Sequence, residues 1–331
     1  MNTTYKCLLT EKAEDGTVSN TIVTRNTSEL KASEVLVEIH YSSLNFKDAL
    51  SAMGNPGVTT QFPHTPGIDA AGVVISSENS NWKAGDKVII TGFDFGMNTD
   101  GGFSELASVP ADWLIKLPED LTLKESMMYG TAGLAAGQSV AALIHNDVKP
   151  EDGVIAVSGA SGGVGSLAVG ILHKLGYKVA AVSGKASANE FLKSIGASEI
   201  IDRNELSEKS PKAILKTKFA GAIDTVGGEI LANLIKMTNY GGTVTNCGMV
   251  AGGEIPITVF PFILRGINLM GIDTVNYPVK KREPIWKHFA SDWRPDNLES
   301  TVTEISLDEL PESIETISKG QLTGRYIVKI K

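Results

Sequence analysis

Glycines at 159, 162, 163 and 165 follow a short apolar run, Val154 to Val157, and open onto a stretch with helical spacing. Binding the pyrophosphate of a dinucleotide asks for that arrangement. Gly159 is placed to take a backbone conformation closed to other residues. Gly162 and Gly163 remove the Cβ atoms that would hold the main chain away from a phosphate, and Gly165 lets the helix lie close to its strand. The helix N-terminus then aims free N–H groups and a partial positive charge at the phosphates. Taken alone, these glycines also fit an ordinary tight strand-to-helix turn; the residues after them favour the dinucleotide.

Ser166 to Leu175 carries apolar residues at Leu167, Ala168, Ile171, Leu172 and Leu175 and stops at Gly176, as a helix ending in a glycine cap does. A second strand, Tyr177 to Val182, runs into Ser183-Gly184-Lys185. This strand end lies about 20 residues past the glycines, where a dinucleotide fold meets the adenosine ribose. An NAD site calls for a carboxylate there; the sequence has none. Ser183 offers a hydroxyl, Gly184 an open amide and Lys185 a cation, which suits a 2′-phosphate. The cofactor expected is NADPH, the alternative for Lys185 being a solvated lysine at a helix start.

The elements that must position this turn change character along the chain. Before about Leu123 the pattern is β: Tyr5 to Leu9, Glu34 to Tyr41 in strict alternation, Ala70 to Ile75 and Lys87 to Ile90, with glycines and prolines between them. That suits a partly open antiparallel barrel. Helical periodicity follows from Ser126 to about Ile144, and from Gly153 strands alternate with helices, which predicts a doubly wound parallel sheet. Near the end, Gly324 to Ile330 alternates again and is expected to return to the barrel. The expected domains are 1–125, 126–290 and a returning 291–331.

The chain has 331 residues, 42% hydrophobic and 21% charged, with a formal net charge of −8 and no basic stripe interleaved with aromatics, which argues against nucleic acid. The first residues lack a signal-peptide apolar region, and no 18-residue apolar run suggests a membrane span, so a cytoplasmic protein is expected. Cys7 and Cys247 are the only cysteines, both in β-like apolar runs, and are expected to be buried free thiols.

Pro66-Gly67-Ile68-Asp69-Ala70-Ala71-Gly72, Gly85-Asp86-Lys87-Val88, Gly101-Gly102-Phe103-Ser104-Glu105 and then the glycine turn form a recognisable order. The chain resembles the medium-chain dehydrogenase/reductase superfamily over nearly its whole length. Ser43 to Leu50, Val182 to Lys185 and Pro261 to Arg265 are similar to its zinc-free quinone oxidoreductase branch, and most to the acrylyl-CoA reductase subfamily. The resemblance implies a GroES-like partly open β-barrel catalytic domain plus a Rossmann parallel sheet. Zinc-dependent relatives hold a metal through a Gly-His-Glu motif and cysteines. Here the turn reads Gly67-Ile68-Asp69, so no metal is expected and alcohol oxidation is disfavoured.

What remains for such an NADPH enzyme is reduction of an activated C=C bond, which needs a stabilised enolate oxygen and a proton. Asn45 is the first choice for the polar group near the reacting carbonyl, with capping of a turn as its alternative. Lys47 and Asp48 are second choices, either catalytic or an ion pair that orients the loop. Phe46 stands where some relatives carry a tyrosine donor, and is expected to pack on the cofactor. The resemblance further implies pyrophosphate contacts from Ser161, Gly162, Gly163 and Val164, and adenosine phosphate contacts from Ser183, Gly184, Lys185 and Arg203. It places Met249 and Ile263 beside the nicotinamide half and gives Arg325 a phosphate. Lys280, Lys281 and Arg282 are candidates for the phosphates of a CoA ester, or else a solvated turn.

The expected acceptor is an acyl-CoA thioester, acrylyl-CoA reduced to propanoyl-CoA. A quinone or small enone on the same cofactor site is the enzymatic alternative, and a non-catalytic NADPH-binding protein the third reading. The apolar Ile267 to Ile272 run would end the parallel sheet, and an uncovered edge of that kind predicts a homodimer.

Overall fold

The computed structural model describes residues 3–331. Strands β1 (Thr4–Lys12) and β2 (Val18–Asn26) form an antiparallel hairpin, followed by β3 (Val35–Leu44), α1 (Phe46–Ala52), β4 (Asp69–Ser77), β5 (Lys87–Thr91), β6 (Leu106–Val109) and β7 (Leu114–Lys116). Helix α2 (Leu123–His145) leads to an alternating run: β8 (Val154–Ser158), α3 (Gly163–Lys174), β9 (Lys178–Ser183), α4 (Asn189–Ser194), β10 (Glu199–Asp202), α5 (Arg203–Ser207) and β11 (Phe219–Asp224). It continues through α6 (Gly228–Met237), β12 (Thr238–Asn246), α7 (Phe260–Arg265) and β13 (Asn268–Gly271). The chain ends in α8 (Val279–Phe289), β14 (Val302–Ser306), α9 (Leu310–Ser318) and β15 (Arg325–Lys329).

Two compact units result. The first contains Met1–Thr131, Thr274–Ala290 and Val302–Lys331. Its main sheet has the order β14-β15-β3-β4-β5-β7 with β6 on β3. The expected return of the C-terminus is present: β15 pairs antiparallel with β3, Val328 opposite Ser42. Inward residues such as Val35, Val37, Ile39, Val88 and Ile90 build one core, and α1, α9 and β15 close a second around Leu44, Leu310 and Val328. Buried positions in β3 alternate through Val35, Val37 and Ile39, as a half-covered strand requires.

The second unit contains Ala132–Asp273 and Ser291–Thr301. Its six-stranded sheet runs β10-β9-β8-β11-β12-β13, and all its pairings are parallel. From β8 the chain winds outward to β10, returns beside β8 as β11 and winds the other way, so the strand order reverses between β8 and β11. Ligands bind outside the carboxyl ends of strands at such a reversal. Helix α6 packs Leu231, Leu234 and Ile235 on this sheet.

The boundaries differ from the expected domains. Thr274–Ala290 clusters with the first unit, because α8 turns Arg282, Ile285, Trp286 and Phe289 inward there, with Tyr129 stacked on Phe289. Ser291–Thr301 clusters with the second. The β2 strand lies outside the expected strands: its residues are half-buried or exposed, so alternation gives little apolar signal. A further correction concerns α2, whose length and mean hydropathy of 1.2 would suffice to cross a membrane. Its apolar window is 83% buried, which marks a core helix. Cys7 is buried and Cys247 only half-buried, both free.

Candidate functional site

In the first unit the residues around Asn45 form one buried hydrogen-bonded cluster. Asn45 precedes α1, and its backbone N–H donates to Asp48 Oδ2 at 2.7 Å, the reach-back arm of a capping box. Asp48 Oδ1 accepts the Ile68 N–H at 2.8 Å, which ties the start of α1 to the turn before β4. Asp69, fully buried at the start of β4, accepts from Ser43 Oγ at 2.6 Å, Asn45 Nδ2 at 2.8 Å and Thr131 Oγ1 at 2.6 Å, and from the Thr131 N–H as well. Arg325, also buried, donates through Nη1 to the Leu44 carbonyl at 3.1 Å and to Asn45 Oδ1 at 3.2 Å.

This geometry revises several expectations. The Asn45 carboxamide is used on both ends, Nδ2 by Asp69 and Asp48 and Oδ1 by Arg325, so it orders the cluster and is not a free donor for an enolate oxygen. Asp48 caps α1. Burial and the neighbouring Asp69 push its carboxyl up to about 7, against the N–H donors of Ile68 and Asn45. Lys47 is half-buried and Phe46 is exposed on α1. Arg325 is buried, with Nη1 on the Leu44 carbonyl and Asn45 and Nη2 without a partner among the described residues; burial lowers its pKa, while Asp69 and Asp48 act to raise it. Arg282 is fully buried as well: its guanidinium lies 4.2 Å over the Phe93 ring and donates to the Tyr277 and Val275 carbonyls and to Thr91. It is therefore unavailable to a CoA phosphate. Lys280 and Lys281, on the other side of α8, are exposed.

The cluster dictates a kink. Gly130 inside α2 has φ 52° and ψ −152°, and a Cβ there would stand 2.5 Å from both Asp69 Oδ2 and Ser43 Oγ. Gly130→Ala adds left-handed strain to a clash with buried polar atoms and is expected to cost about 3 kcal/mol. Thermal unfolding should show a Tm at least ~5 °C lower.

His64, three residues before Gly67, is buried. Its Nε2 lies 2.8 Å from Ser51 Oγ, and Nδ1 has no partner. Burial lowers its pKa from 6.5 to about 4. A histidine kept neutral by the fold contributes stability above its unfolded pKa and loses it as pH falls through the folded value. Between pH 6.5 and 4 the wild type should lose up to about 3 kcal/mol that a His64→Gln variant does not lose, read as the difference between their Tm-versus-pH curves.

In the second unit the glycine turn is built as its spacing predicts. Gly159 has φ 58°, and a Cβ on it would strike Thr225 Oγ1; one on Gly165 would strike the Gly159 carbonyl. Ser161 is buried, while Gly162, Gly163 and Val164 are half-buried at the start of α3. The end of β9 lies against this turn: Ser183 Oγ is 3.4 Å from Ser161 Oγ and accepts the Lys185 N–H at 3.2 Å. Arg203 lies across Gly184 so closely that a Cβ there would meet its guanidinium. Ser183, Gly184, Lys185 and Arg203 thus converge, joining two sequence positions that the strand pairing of β9 with β10 explains. Desolvation lowers the Lys185 pKa. Met249 and Ile263 are 70% and 67% exposed in the segment between β12 and β13, so plain core packing does not account for them.

Comparison with known proteins decides the family. Residues 31–119 match the alcohol dehydrogenase GroES-like domain, and residues 163–291 match the family described as zinc-binding dehydrogenase. The acrylyl-CoA reductase AcuI of Ruegeria pomeroyi is 39% identical over 98% of this chain and 99% of its own. The chain belongs to the medium-chain dehydrogenase/reductase superfamily, in its quinone oxidoreductase and acrylyl-CoA reductase branch. Escherichia coli YhdH with bound NADPH is 44% identical, covers 98% of this chain and 100% of its own, and superposes with a TM-score of 0.95. Bacillus subtilis YhfP carries the provisional name quinone oxidoreductase at 44% identity over 100% of both chains, and its NAD-bound structure covers 99% of this chain with a TM-score of 0.96. Members of this superfamily are oxidoreductases, and so is this protein.

Proposed function

We propose that the protein is an NADPH-dependent reductase of an activated C=C bond, with an acrylyl-CoA-like thioester as acceptor. The cofactor part is carried by the end of β9, where the Ser183 hydroxyl takes the Lys185 N–H, Arg203 lies across Gly184, and the neighbouring Asp202 carboxylate accepts the Asn204 N–H. The tight turn that Gly159 and Gly165 require, opening onto the N-terminus of α3, fits a pyrophosphate laid on it. Bound there, NADPH would supply the hydride for the β-carbon of the acceptor. Ser161, Gly162, Gly163 and Val164 would hold its pyrophosphate, and Met249 and Ile263 would offer an apolar surface to its nicotinamide half.

The metal-free reading is supported by the donor chemistry at Gly67-Ile68-Asp69. Ile68 has no ligating atom, and both Asp69 oxygens already accept N–H or O–H donors. The thioester is favoured by the AcuI relative, and Lys280 and Lys281 are available to its phosphates. A quinone acceptor is the second reading, favoured by the name of YhfP at 44% identity. Steady-state NADPH oxidation with acrylyl-CoA and with a small quinone separates them. Acrylyl-CoA is expected to give at least a 100-fold higher kcat/KM, a difference of about 3 kcal/mol in transition-state binding. A quinone preference overturns the acceptor, and no turnover with either leaves a cofactor-binding protein.

The same reading includes a cytoplasmic homodimer joined along β13. This strand ends the sheet, and Val259 and Leu264 on the neighbouring segment are each more than half exposed. Light scattering on the purified protein should give twice the chain mass of 35.1 kDa; a monomer contradicts it.

A further inference from the structure

The Asp224 carboxylate lies on the strand reversal and touches none of the residues assigned above to the cofactor, yet it organises the segments that carry them. Register places Ile223 beside Val157 and Asp224 beside Asn246, so Ser158, Asp224 and Asn246 stand in one row across the carboxyl ends of β8, β11 and β12. Neighbours in such a row point to the same face. Asp224 is fully buried: Oδ1 accepts from Ser158 Oγ at 2.6 Å, and Oδ2 accepts from Asn246 Nδ2 at 2.7 Å and the Gly227 N–H at 2.8 Å. Ser158 Oγ in turn accepts the Thr225 N–H at 2.9 Å, and Thr225 Oγ1 donates to the Ser158 carbonyl at 3.0 Å. Thr225 Oγ1 is the atom against which Gly159 packs, and Asn246 Nδ2 also donates to the Gly248 carbonyl at 2.9 Å.

We propose that Asp224 is a positioning residue for the dinucleotide: through Ser158 and Thr225 it sets the glycine turn at Gly159, and through Asn246 it sets the segment that leads to Met249. One carboxylate therefore couples the backbone that receives the pyrophosphate to the backbone expected at the nicotinamide half. Burial raises its pKa, opposed by the Ser158, Asn246 and backbone donors that hold it in place. The proposal rests on the cofactor reading above.

Asp224→Asn turns an NH2 group toward a donor on one side of the clasp, and Ser158→Ala removes the bridge to Thr225 while deleting a single oxygen. Direct titration of NADPH fluorescence should show Kd raised about 10-fold or more in each, as displacement of a binding frame by a fraction of an ångström does. Val244→Ala serves as the control. It opens the buried core on β12 without touching the clasp, and should lower Tm while leaving Kd within about 3-fold of wild type. Wild-type affinity in both clasp variants overturns the proposal. So does a Val244→Ala variant whose Kd rises in step with its loss of Tm, since the effect would then be one of general stability. A wild type that binds no NADPH overturns the cofactor reading itself, a result distinct from either of these.

Discussion

Replacing Lys185 and Arg203 together with alanine is expected to raise the KM for NADPH by about 100-fold and to leave the KM for NADH within about 3-fold. The 2′-phosphate carries close to two negative charges, and each charge-assisted hydrogen bond to it in a partly solvated site is worth roughly a factor of 10. NADH lacks that phosphate and loses nothing when the cations go. Arg203 spans Gly184 and Lys185 follows it, so both cations stand at one strand end, and their two factors of roughly 10 together give the expected change of about 100-fold. An equal rise for both nucleotides would mean that the residues hold the strand end in shape without recognising the phosphate. The NAD-bound structure of the YhfP relative makes the ratio of the two cofactors, rather than either value alone, the informative quantity.

Asp69→Ala is expected to be the most destabilising single change in the first unit. It leaves the Ser43 hydroxyl, the Asn45 carboxamide and the Thr131 N–H without their acceptor, and it removes a negative charge that favours the buried Arg325 cation. Stripping one partner from a buried ionic cluster costs about 3–5 kcal/mol, which in a chain of this size lowers Tm by roughly 10 °C. Asp69→Asn should fall between, because an amide keeps one acceptor oxygen and turns its NH2 toward donors. A Tm within 2 °C of wild type for the alanine variant, on the order of measurement error, would contradict the role given to the cluster.

Much of the second unit was legible because its signals are local. The glycine turn, the helix that stops at Gly176 and the strand ending in Ser183-Gly184-Lys185 lie within 30 residues or so of one another, the size of one strand–helix–strand unit. The return of β15 could be expected from its alternation alone. The Asp69 cluster could not. Its members are separated by 26 and 62 positions, and Arg325 stands 280 positions from Asn45, so only the folded sheet brings them together. Asn45 looked like a donor for chemistry because a polar residue after a strand gives no hint of which partners burial will supply.

Arg282 carries its signal in helical phase rather than in its run of basic neighbours. Read as a run, Lys280-Lys281-Arg282 is a basic turn; read in helical phase, Arg282 joins Ile285, Trp286 and Phe289 on the buried stripe of α8. An arginine on an apolar stripe points to buried carbonyl partners, which Tyr277, Val275 and Thr91 provide. Ser158 and Asp224 were legible only as the last residues of strands, a position whose importance depends on which strands become neighbours.

The most direct test of the whole account is to follow the hydride. NADPH deuterated at the transferring position of the nicotinamide is incubated with acrylyl-CoA and the purified protein, and the product is analysed by mass spectrometry and NMR. The expected product is propanoyl-CoA with a single deuterium at C3 and none at C2. Unlabelled propanoyl-CoA, label at C2, or consumption of the nucleotide only when a quinone is present would contradict it.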